Sequence, residues 1–246
     1  MYKNILLTGC TQGLGKFLCE EFYNSGYKII GIDIKSEKDI DNDFFNMLEG
    51  YFQIDLREIY KINETINNIL KVYHIDILIN NAGIKSFKIF SEFSNKEIDD
   101  IFFVNTIAPI KIIHAILPYF IKNKHGKIIN ISSNAAFQGY KTGSIYGSSK
   151  LALLNFTESI GKELYGSGVT INTICPSTII TKEFLIKYPN ERTNRNLILP
   201  KSVFKKIVKI ISSNQNGKII PIIPFKTKIK YLFVNVFKNL KYIINE

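Results

Sequence analysis

Short β-branched runs alternate with longer helical stretches along the chain, and this alternation restricts the fold more than any other feature. The runs in the first half are "NILLTG", "YKIIGID", "YFQID" and "IDILINNAG". One helical pattern begins near Leu14, and a second covers about 58–72. The second half continues in the same way, since helical patterns over about 96–122 and 144–165 precede "GKIINISS" and "VTINTICP". Strands that alternate with helices form right-handed βαβ units with parallel strands.

The strand-like runs are almost continuously apolar, which is typical of a parallel sheet that helices cover on both faces. We therefore predict the α/β class, with a doubly wound and mostly seven-stranded parallel sheet. One domain is expected over 1–222, followed by a C-terminal extension over 223–246. The polar, proline-interrupted segment 177–200 is predicted to lie near the carboxyl ends of the strands, as a lid.

The composition excludes several classes of protein and of site. With 46% hydrophobic and 22% charged residues the chain has enough apolar material for a core, so disorder is not expected. The cysteines are odd in number and scattered, which predicts reduced thiols rather than disulfides. The three histidines are also dispersed and no HExxH motif is present, so no metal site is predicted.

The amino terminus and the net charge bear on location and partners. The first apolar run stops at Thr8, too short for a signal-peptide core, and no run reaches the roughly 18 apolar residues of a spanning helix. A cytoplasmic protein is therefore predicted. The formal net charge of +11 is interpreted as lysine-rich solvated faces, because no nucleic-acid-binding module accompanies it, and no nucleic-acid partner is expected.

The glycine-rich stretch "TGCTQGLG" stands directly between the first strand and the first helix. Glycines there permit a tight turn, close approach of a phosphate to the backbone, and close packing of helix on strand. Such a turn can also be a plain connector, but its position between strand and helix favours a dinucleotide site. The cofactor-binding residues predicted in this turn are Gly9, Thr11, Gln12, Gly13, Leu14 and Gly15.

Two acidic residues end the second and third strands. Asp33 follows Gly15 by 18 residues, where a carboxylate can accept hydrogen bonds from a ribose diol and would repel a 2′-phosphate. This favours NAD(H) over NADP(H), although Lys35 is a contrary indication and NADP(H) stays open. Asp55 is expected to meet the adenine amino group, with Leu56 beside it. For both acids the alternative is that they only start a turn.

Tyr146 and Lys150 stand four residues apart on a predicted helix, so both side chains can point into a cleft at the strand ends. Alone, such a pair is more often a surface pair. Here it follows Ser133 by 13 residues and lies behind a nucleotide-binding half, which favours an acid/base centre. A phenol titrates near ~10, so acid/base work at neutral pH needs a downward pKa shift of about three units, or ~4 kcal/mol. A desolvated ammonium and a bound nicotinamide cation are charges that could supply it.

In their order and spacing these motifs resemble those of the short-chain dehydrogenase/reductase family, whose members have a one-domain Rossmann-type fold. The likeness covers about residues 3–222. It rests on "TGCTQGLG", Asp33, Asp55, "NNAG" (80–83), Asn105, "INISS" (129–133), "YGSSK" (146–150) and "INTICPSTIIT" (171–181). The catalytic set implied by the resemblance is Asn105, Ser133, Tyr146 and Lys150.

The resemblance also implies a role for each of these residues. Ser133 would orient the substrate, Tyr146 would exchange the proton, and Lys150 would tune Tyr146 and hold the nicotinamide ribose. Asn105 would support a water that links Lys150 to solvent; the alternative is that it bonds its own helix backbone. Further cofactor contacts are implied on the adenosine side at Asn81, Ala82 and Gly83, and near the nicotinamide at Pro176 and Thr181. Asn81 has a purely structural alternative.

The chain departs from the family pattern at two places. Ser177 stands where the family has glycine, and a positive φ there would strain serine, so a modest loop adjustment is expected. The sequence "NGKIIPIIPF" replaces the usual ending, and an amphipathic, lysine-rich segment follows it in 223–246. This segment is expected either to make peripheral contact with an anionic membrane or to pack on protein.

The sequence thus predicts an NAD(H)-dependent oxidoreductase that interconverts a secondary alcohol and a ketone. Basic residues in the lid favour an anionic substrate such as a nucleotide sugar: Lys182, Lys187, Arg192 and Arg195. The alternatives are a 3-oxoacyl carrier-protein reductase and a catalytically idle dinucleotide-binding scaffold. The resemblance implies a small-molecule carbonyl or alcohol substrate and a homodimer or homotetramer.

Overall fold

The computed structural model describes residues 4–190 and 197–224, and a seven-stranded sheet is its centre. The strand order is β3-β2-β1-β4-β5-β6-β7, and every neighbouring pair is parallel. The strands are β1 Asn4–Thr8, β2 Lys28–Asp33, β3 Leu48–Gln53, β4 Ile77–Asn80, β5 Gly126–Ile131, β6 Val169–Pro176 and β7 Lys218–Ile222. The predicted fold class is confirmed.

Helices cover both faces of the sheet. They are α1 Gly13–Asn24, α2 Asn42–Phe45, α3 Ile62–Val72, α4 Asn95–Phe102, α5 Ala108–Lys122, α6 Ser144–Glu163, α7 Lys182–Lys187 and α8 Pro200–Ile211. On one face, α1 and α8 bury their apolar sides in a single cluster with β1, and on the other face α3 and α5 do the same. Successive strand residues point to opposite faces, so Leu6 and Leu7 enter different clusters, both fully buried.

The helix predicted over 96–122 has the expected extent but contains an irregular segment. Ser94 and Glu97 form a capping box at the start of α4. A π-helical turn, Phe103–Ile107, then separates α4 from α5. This turn holds Asn105, whose side chain is fully buried. Turns of this kind concentrate at functional sites, so it directs attention to Asn105.

The same run, Asn95–Lys122, is by length and composition apolar enough to cross a membrane, with a mean hydropathy of 1.6 over its most apolar window. Half of that window is buried inside the fold. Ile112, Ile113 and Ile116 of α5 are buried in the cluster that contains β4 and β5. Packing on the sheet therefore accounts for the apolar character of this helix.

Two boundaries differ from expectation. Helix α3 begins at Ile62 rather than near residue 58, because Asp55 starts a turn: its Oδ1 accepts a hydrogen bond from the Arg57 backbone N–H at 2.9 Å. Ser177 avoids the positive φ that would strain serine, since among described non-glycine residues only Lys124 and Thr142 have positive φ. The Ser177 backbone N–H instead donates to the Ile222 carbonyl oxygen at 2.9 Å, which ties it to β7.

The predicted lid is in part a folded segment. It contains α7 and a bridge between Ile179 and Ile198, and it passes over the carboxyl ends of the strands. Arg192 and Arg195 lie outside the described residues, as does nearly all of the predicted C-terminal extension, 223–246. Lys182 and Lys187 are exposed on α7.

Candidate active site

A cleft of about 1320 Å³ opens where the carboxyl ends of the strands meet. Chain segments that leave β1 and β4 go to opposite faces of the sheet, so a crevice forms between these two strands, where open α/β sheets bind ligands. Its volume exceeds the ~300–1,000 Å³ that is typical for one small ligand. The cleft therefore has room for an extended dinucleotide together with a substrate.

The glycine-rich turn after β1 requires glycine at two positions. Gly9 has φ of +69°, and a Cβ on it would lie 2.8 Å from the Ala82 Cα. A Cβ on Gly15 would lie 1.8 Å from the Gly9 carbonyl oxygen, so α1 packs directly on the turn. The Asn81 side-chain nitrogen donates to the carbonyl oxygens of Thr8 at 3.0 Å and Gly9 at 2.9 Å. Asn81 therefore stabilises the turn, as its structural alternative predicts, and it also lines the cleft.

The start of α1 already accepts an anionic oxygen in this structure. The Gly13 backbone N–H donates to Oε1 of Glu183, which reaches across the cleft from α7, at 3.2 Å. A Cβ on Gly13 would meet nothing nearer than 4.0 Å, so the backbone is open to an approaching group. Amides at a helix start that take a carboxylate can also take a pyrophosphate oxygen. The turn therefore fits a dinucleotide.

Asp33 holds the second strand end to the glycine-rich turn. Its Oδ2 accepts hydrogen bonds from the Thr11 backbone N–H at 2.9 Å and the Thr11 hydroxyl at 3.0 Å. Its Oδ1 accepts from the Ile34 backbone N–H at 2.8 Å. A carboxylate has about four acceptor positions, so these three bonds leave capacity for a ligand hydroxyl. Asp33 therefore stabilises the turn, as its alternative interpretation predicts, and it also lines the cleft.

Asp55 lines the cleft in an ion pair with Arg57. The guanidinium Nε lies 3.0 and 2.9 Å from the two carboxylate oxygens, and the hydrogen bond from Arg57 is the main cause that lowers the Asp55 pKa. Arg57 also reaches Asp100 on α4 at 3.5 Å. The expected adenine contact therefore has to share the carboxylate with Arg57, a residue that sequence analysis did not single out.

Tyr146 and Lys150 lie one turn apart on α6, and both line the cleft. The Lys150 ammonium donates to the Ile131 carbonyl oxygen at 3.1 Å. A Cβ on Gly83 would lie 3.2 Å from both Lys150 Nζ and Asn105 Oδ1, which shows that these two groups converge on the loop after β4. Ser133, two residues after β5, lies close enough to the Tyr146 phenol to lower its pKa.

Asn105 connects the π-helical turn to two neighbouring segments. Its Oδ1 accepts from the Ile84 backbone N–H, and its Nδ2 donates to the Ile84 carbonyl oxygen, both at 2.9 Å. Nδ2 also lies 3.1 Å from the Ser149 hydroxyl, which in turn donates to the Tyr146 carbonyl oxygen at 2.8 Å. Asn105 therefore bonds the backbone of another segment rather than that of its own helix.

Burial perturbs both members of the tyrosine–lysine pair. It lowers the pKa of Lys150 to about 8, so the ammonium is mostly charged at pH 7. Burial raises the pKa of Tyr146, and the hydrogen bond with Ser133 opposes that effect. The phenol therefore holds its proton at neutral pH in the free protein, and the downward shift that a bound nicotinamide cation would cause stays a prediction.

The nicotinamide and substrate ends of the cleft carry further side chains. Thr181 caps α7, since its hydroxyl accepts from the Phe184 backbone N–H at 3.2 Å. Phe87 packs edge-on against Tyr146, with ring centroids 5.5 Å apart, and lies 6.1 Å from the Tyr140 ring. Sequence analysis missed Phe87 and Tyr140, because the loops that carry them have no motif of their own.

The structure brings nearly all of the expected site residues to one cleft. Those that line it are Gly9, Gln12, Gly13, Leu14, Gly15, Asp33, Asp55, Leu56, Asn81, Ala82, Gly83, Ser133, Tyr146, Lys150, Pro176 and Thr181. Thr11 and Asn105 are buried and act on this wall through Asp33 and through the loop after β4.

The chain is similar to known proteins in sequence and in fold. The family model for short chain dehydrogenases matches residues 3–188. The 3-oxoacyl-[acyl-carrier-protein] reductase FabG of Buchnera aphidicola subsp. Acyrthosiphon pisum (strain APS) is 34% identical over 178 residues, 71% of this chain and 72% of that protein.

Two solved structures superpose over most of the chain. ElxO with NADP bound has a TM-score of 0.80 at 24% identity, covering 90% of this chain and 97% of its own. 4-Hydroxyisoleucine dehydrogenase complexed with NADH also has a TM-score of 0.80, at 25% identity, covering 89% and 96%. With the matched family model and the FabG relative, the chain belongs to the short-chain dehydrogenase/reductase family of oxidoreductases, which act on alcohol and carbonyl groups with NAD(P).

Proposed function

We propose that the protein is an NAD(H)-dependent oxidoreductase that interconverts a secondary alcohol and a ketone, with Asn105, Ser133, Tyr146 and Lys150 as its catalytic machinery. The observation that carries this proposal is the convergence of a buried ammonium, a phenol and a serine hydroxyl at one end of a dinucleotide-sized cleft. An idle scaffold would have no need to bury an ammonium there. We also assign 1–222 to one catalytic domain.

Different residues of the cleft would bind different parts of the dinucleotide. The amides at the start of α1 would take the pyrophosphate, Asp33 the adenosine ribose, and Lys150 the nicotinamide ribose, with Pro176 and Thr181 at the nicotinamide. When bound, the cofactor supplies the hydride. Ile84 and Phe87 line the cleft, Phe87 against Tyr146, and would shield the reacting carbon from water once the cleft is filled.

Proton transfer is the task of the chain's own side chains. In the reductive direction the Tyr146 phenol gives its proton to the carbonyl oxygen of the substrate, while the Ser133 hydroxyl donates a hydrogen bond to the same oxygen. The Lys150 ammonium then stabilises the phenolate that forms. Asn105 positions the loop after β4 through its two bonds to Ile84, and α6 through Ser149. In the oxidative direction the phenolate takes the proton back.

The preference for NAD(H) rests on Asp33, which places a negative charge at the end of β2, on the cleft wall. A 2′-phosphate would have to approach this carboxylate. The two similar solved structures contain NADP in one case and NADH in the other, so structural similarity does not distinguish NAD(H) from NADP(H). Titration of the protein with NADH and NADPH, followed by fluorescence, tests it: tighter NADH binding is expected, and equal or tighter NADPH binding would contradict it.

Two substrate classes have support. An anionic substrate such as a nucleotide sugar is favoured by Lys85 and Lys187, which both line the cleft outside the catalytic group. A 3-oxoacyl group on a carrier protein is the second candidate, and the identity with FabG favours it. The aromatic wall of Phe87 and Tyr140 suits either a base or an acyl chain. In both cases the protein would act as a cytoplasmic homodimer or homotetramer on a small-molecule carbonyl or alcohol group.

The deciding experiment is a screen of the purified protein for a change in NADH absorbance with nucleotide sugars, 3-oxoacyl thioesters and small ketones. With the substrate found, Tyr146→Phe should lower turnover by at least about 100-fold, since general acid catalysis contributes roughly 10²–10⁴. Tyr165→Phe is the control for loss of a phenol hydroxyl: Tyr165 is 92% exposed and lies outside the cleft, so turnover should stay within about threefold of wild type. Near-normal turnover of Tyr146→Phe would refute the proposed role.

A further inference from the structure

The contact between Glu183 and Gly13 joins the lid to the cofactor side of the cleft. Glu183 belongs to α7, and Gly13 is the first residue of α1. The carboxylate Oε1 lies 3.2 Å from the Gly13 backbone nitrogen, and Oε2 lies 4.0 Å from the position of a Cβ on Gly13. Both carboxylate oxygens are therefore turned toward the start of α1 from a segment 170 residues away in sequence.

This carboxylate is held in the charged state. Burial works against the charge of Glu183, but hydrogen bonds from backbone N–H groups and from Thr181, together with the charge of Lys16, outweigh it and lower the pKa. The side chain also sits in the favourable field at the start of α1. A negative charge at neutral pH thus occupies an amide that, on the proposed function, a pyrophosphate needs.

A carboxylate and a phosphate oxygen cannot share the Gly13 amide. One backbone N–H donates one good hydrogen bond, and two anions at the same donor repel each other at short range. Glu183 therefore has to leave Gly13 when a dinucleotide binds. Thr181 and Phe184 flank Glu183 and also line the cleft, so its departure removes a contact that holds α7 beside the start of α1.

We propose that Glu183 sets the affinity of this enzyme for its dinucleotide, by occupying the Gly13 amide in the free protein and competing with the pyrophosphate for it. The inference rests on the proposed function. Its consequence is an enzyme that binds its cofactor less tightly than the glycine-rich turn alone would allow, and that releases it sooner. Return of the carboxylate to Gly13 helps to expel the spent cofactor and brings α7 back over the cleft.

The test compares wild type with Glu183→Gln and Glu183→Ala, using NADH, ADP and adenosine as ligands. Glutamine keeps the size of the side chain and removes its charge, whereas alanine removes the competitor. We expect the Kd for NADH and for ADP to fall about three- to tenfold in both variants, as the loss of one charged hydrogen bond in a solvent-open cleft implies. Adenosine, which has no phosphate, should bind all three proteins equally.

A merely structural role would not produce this pattern. The gain in NADH affinity should shrink when salt is raised from about 0.05 to about 0.5 M, because the competition is electrostatic. In steady state the KM for the cofactor should fall, and kcat should fall or stay constant, since cofactor release becomes slower. Glu92→Gln is the control for charge alone: Glu92 is exposed in the turn before α4, and this variant should match wild type.

The outcomes separate this inference from the proposed function. Thermal unfolding of each variant establishes that it is folded. Equal or weaker NADH binding by folded Glu183 variants would overturn the role of Glu183 and leave the proposed function standing. Failure of every protein, wild type included, to bind NADH, NADPH or ADP would overturn both. A gain in affinity for adenosine as large as that for ADP would also overturn the inference, because the effect would not involve the pyrophosphate.

Discussion

The buried ammonium of Lys150 has a cost to folding that can be calculated and measured. Lys150 is only 4% exposed, and burial lowers its pKa from the usual value of about 10.5 to about 8. Each pKa unit corresponds to 1.36 kcal/mol, so burial disfavours the charged form by about 3 kcal/mol. Such a cost is expected of a group whose charge serves the proposed proton transfer.

The pH dependence has a definite sign. Between about pH 8 and about pH 10.5 the unfolded chain keeps the proton of Lys150 while the folded chain has lost it, so the Lys150 contribution makes stability rise with pH through this window. Below pH 8 both states are protonated and the penalty is complete and constant. Replacement of Lys150 by methionine removes the titration and keeps a long, flexible side chain.

Lys150→Met should therefore be more stable than wild type at pH 7 by about 2 kcal/mol, which is the ~3 kcal/mol penalty less about 1 for the lost hydrogen bond to the Ile131 carbonyl oxygen. Near pH 10.5 the order should reverse, with the variant less stable by about 1 kcal/mol. Urea unfolding of both proteins at several pH values measures the difference, in which other titrating groups cancel.

The control is Lys162→Met on the same helix, whose side chain is 78% exposed. It should change stability by less than about 0.5 kcal/mol, with no trend between pH 7 and 10.5. A difference between Lys150→Met and wild type that does not vary with pH, or a variant that is less stable at pH 7, would refute the reasoning. Loss of turnover in Lys150→Met is expected as well, but it would not bear on the calculation.

Three other substitutions test separate features of the structure. Lys124→Gly should stabilise the fold by about 1 kcal/mol, because Lys124 has φ of +49° just after α5. Lys205→Gly, at an exposed position inside α8, should destabilise it by about 1 kcal/mol, and thermal unfolding compares the two. Ser177→Gly should lower stability by about 0.5–1 kcal/mol, since Ser177 has no positive φ to relieve; a gain would contradict this. Asp33→Asn should shift the ratio of NADPH to NADH affinity toward NADPH by about tenfold, measured by fluorescence titration, because it removes one repulsive charge; an unchanged ratio would exclude Asp33 as the selecting group.

Features that depend on residues close together in sequence were predictable, and contacts between distant residues were not. The strands and helices were predictable because burial on both faces leaves continuous apolar runs, as in β1 and β2. Tyr146 and Lys150 were predictable because their spacing on one helix is local. The capping of α4 by Ser94 and Glu97 is local too. In contrast, the contact of Glu183 with Gly13 joins residues 170 positions apart, and no sequence motif near either residue predicts it.

Electrostatics and local backbone conformation also lie beyond what spacing reveals. The pKa of Tyr146 in the free protein depends on how deeply its phenol is buried against Phe87 and beside Ser133. At Ser177 the sequence shows only that glycine is replaced, whereas the structure shows that φ there is not positive. The π-helical turn at Phe103–Ile107 changes only the hydrogen-bonding ladder, so it leaves no mark on the composition of the helix.

That π-helical turn changes the rotation of α5 about the helix axis relative to α4. Residues in an α-helix advance by about 100° each, so one residue accommodated in a wider turn rotates all of α5 relative to α4. Asn105 can then aim at Ile84 and Ser149 while Ile112 and Ile116 still face the sheet. Deletion of one residue between 103 and 107 would yield a regular helix in which only one of these two sides can be in register. Either the contacts of α5 with the sheet or the hydrogen bonds of Asn105 would then be lost.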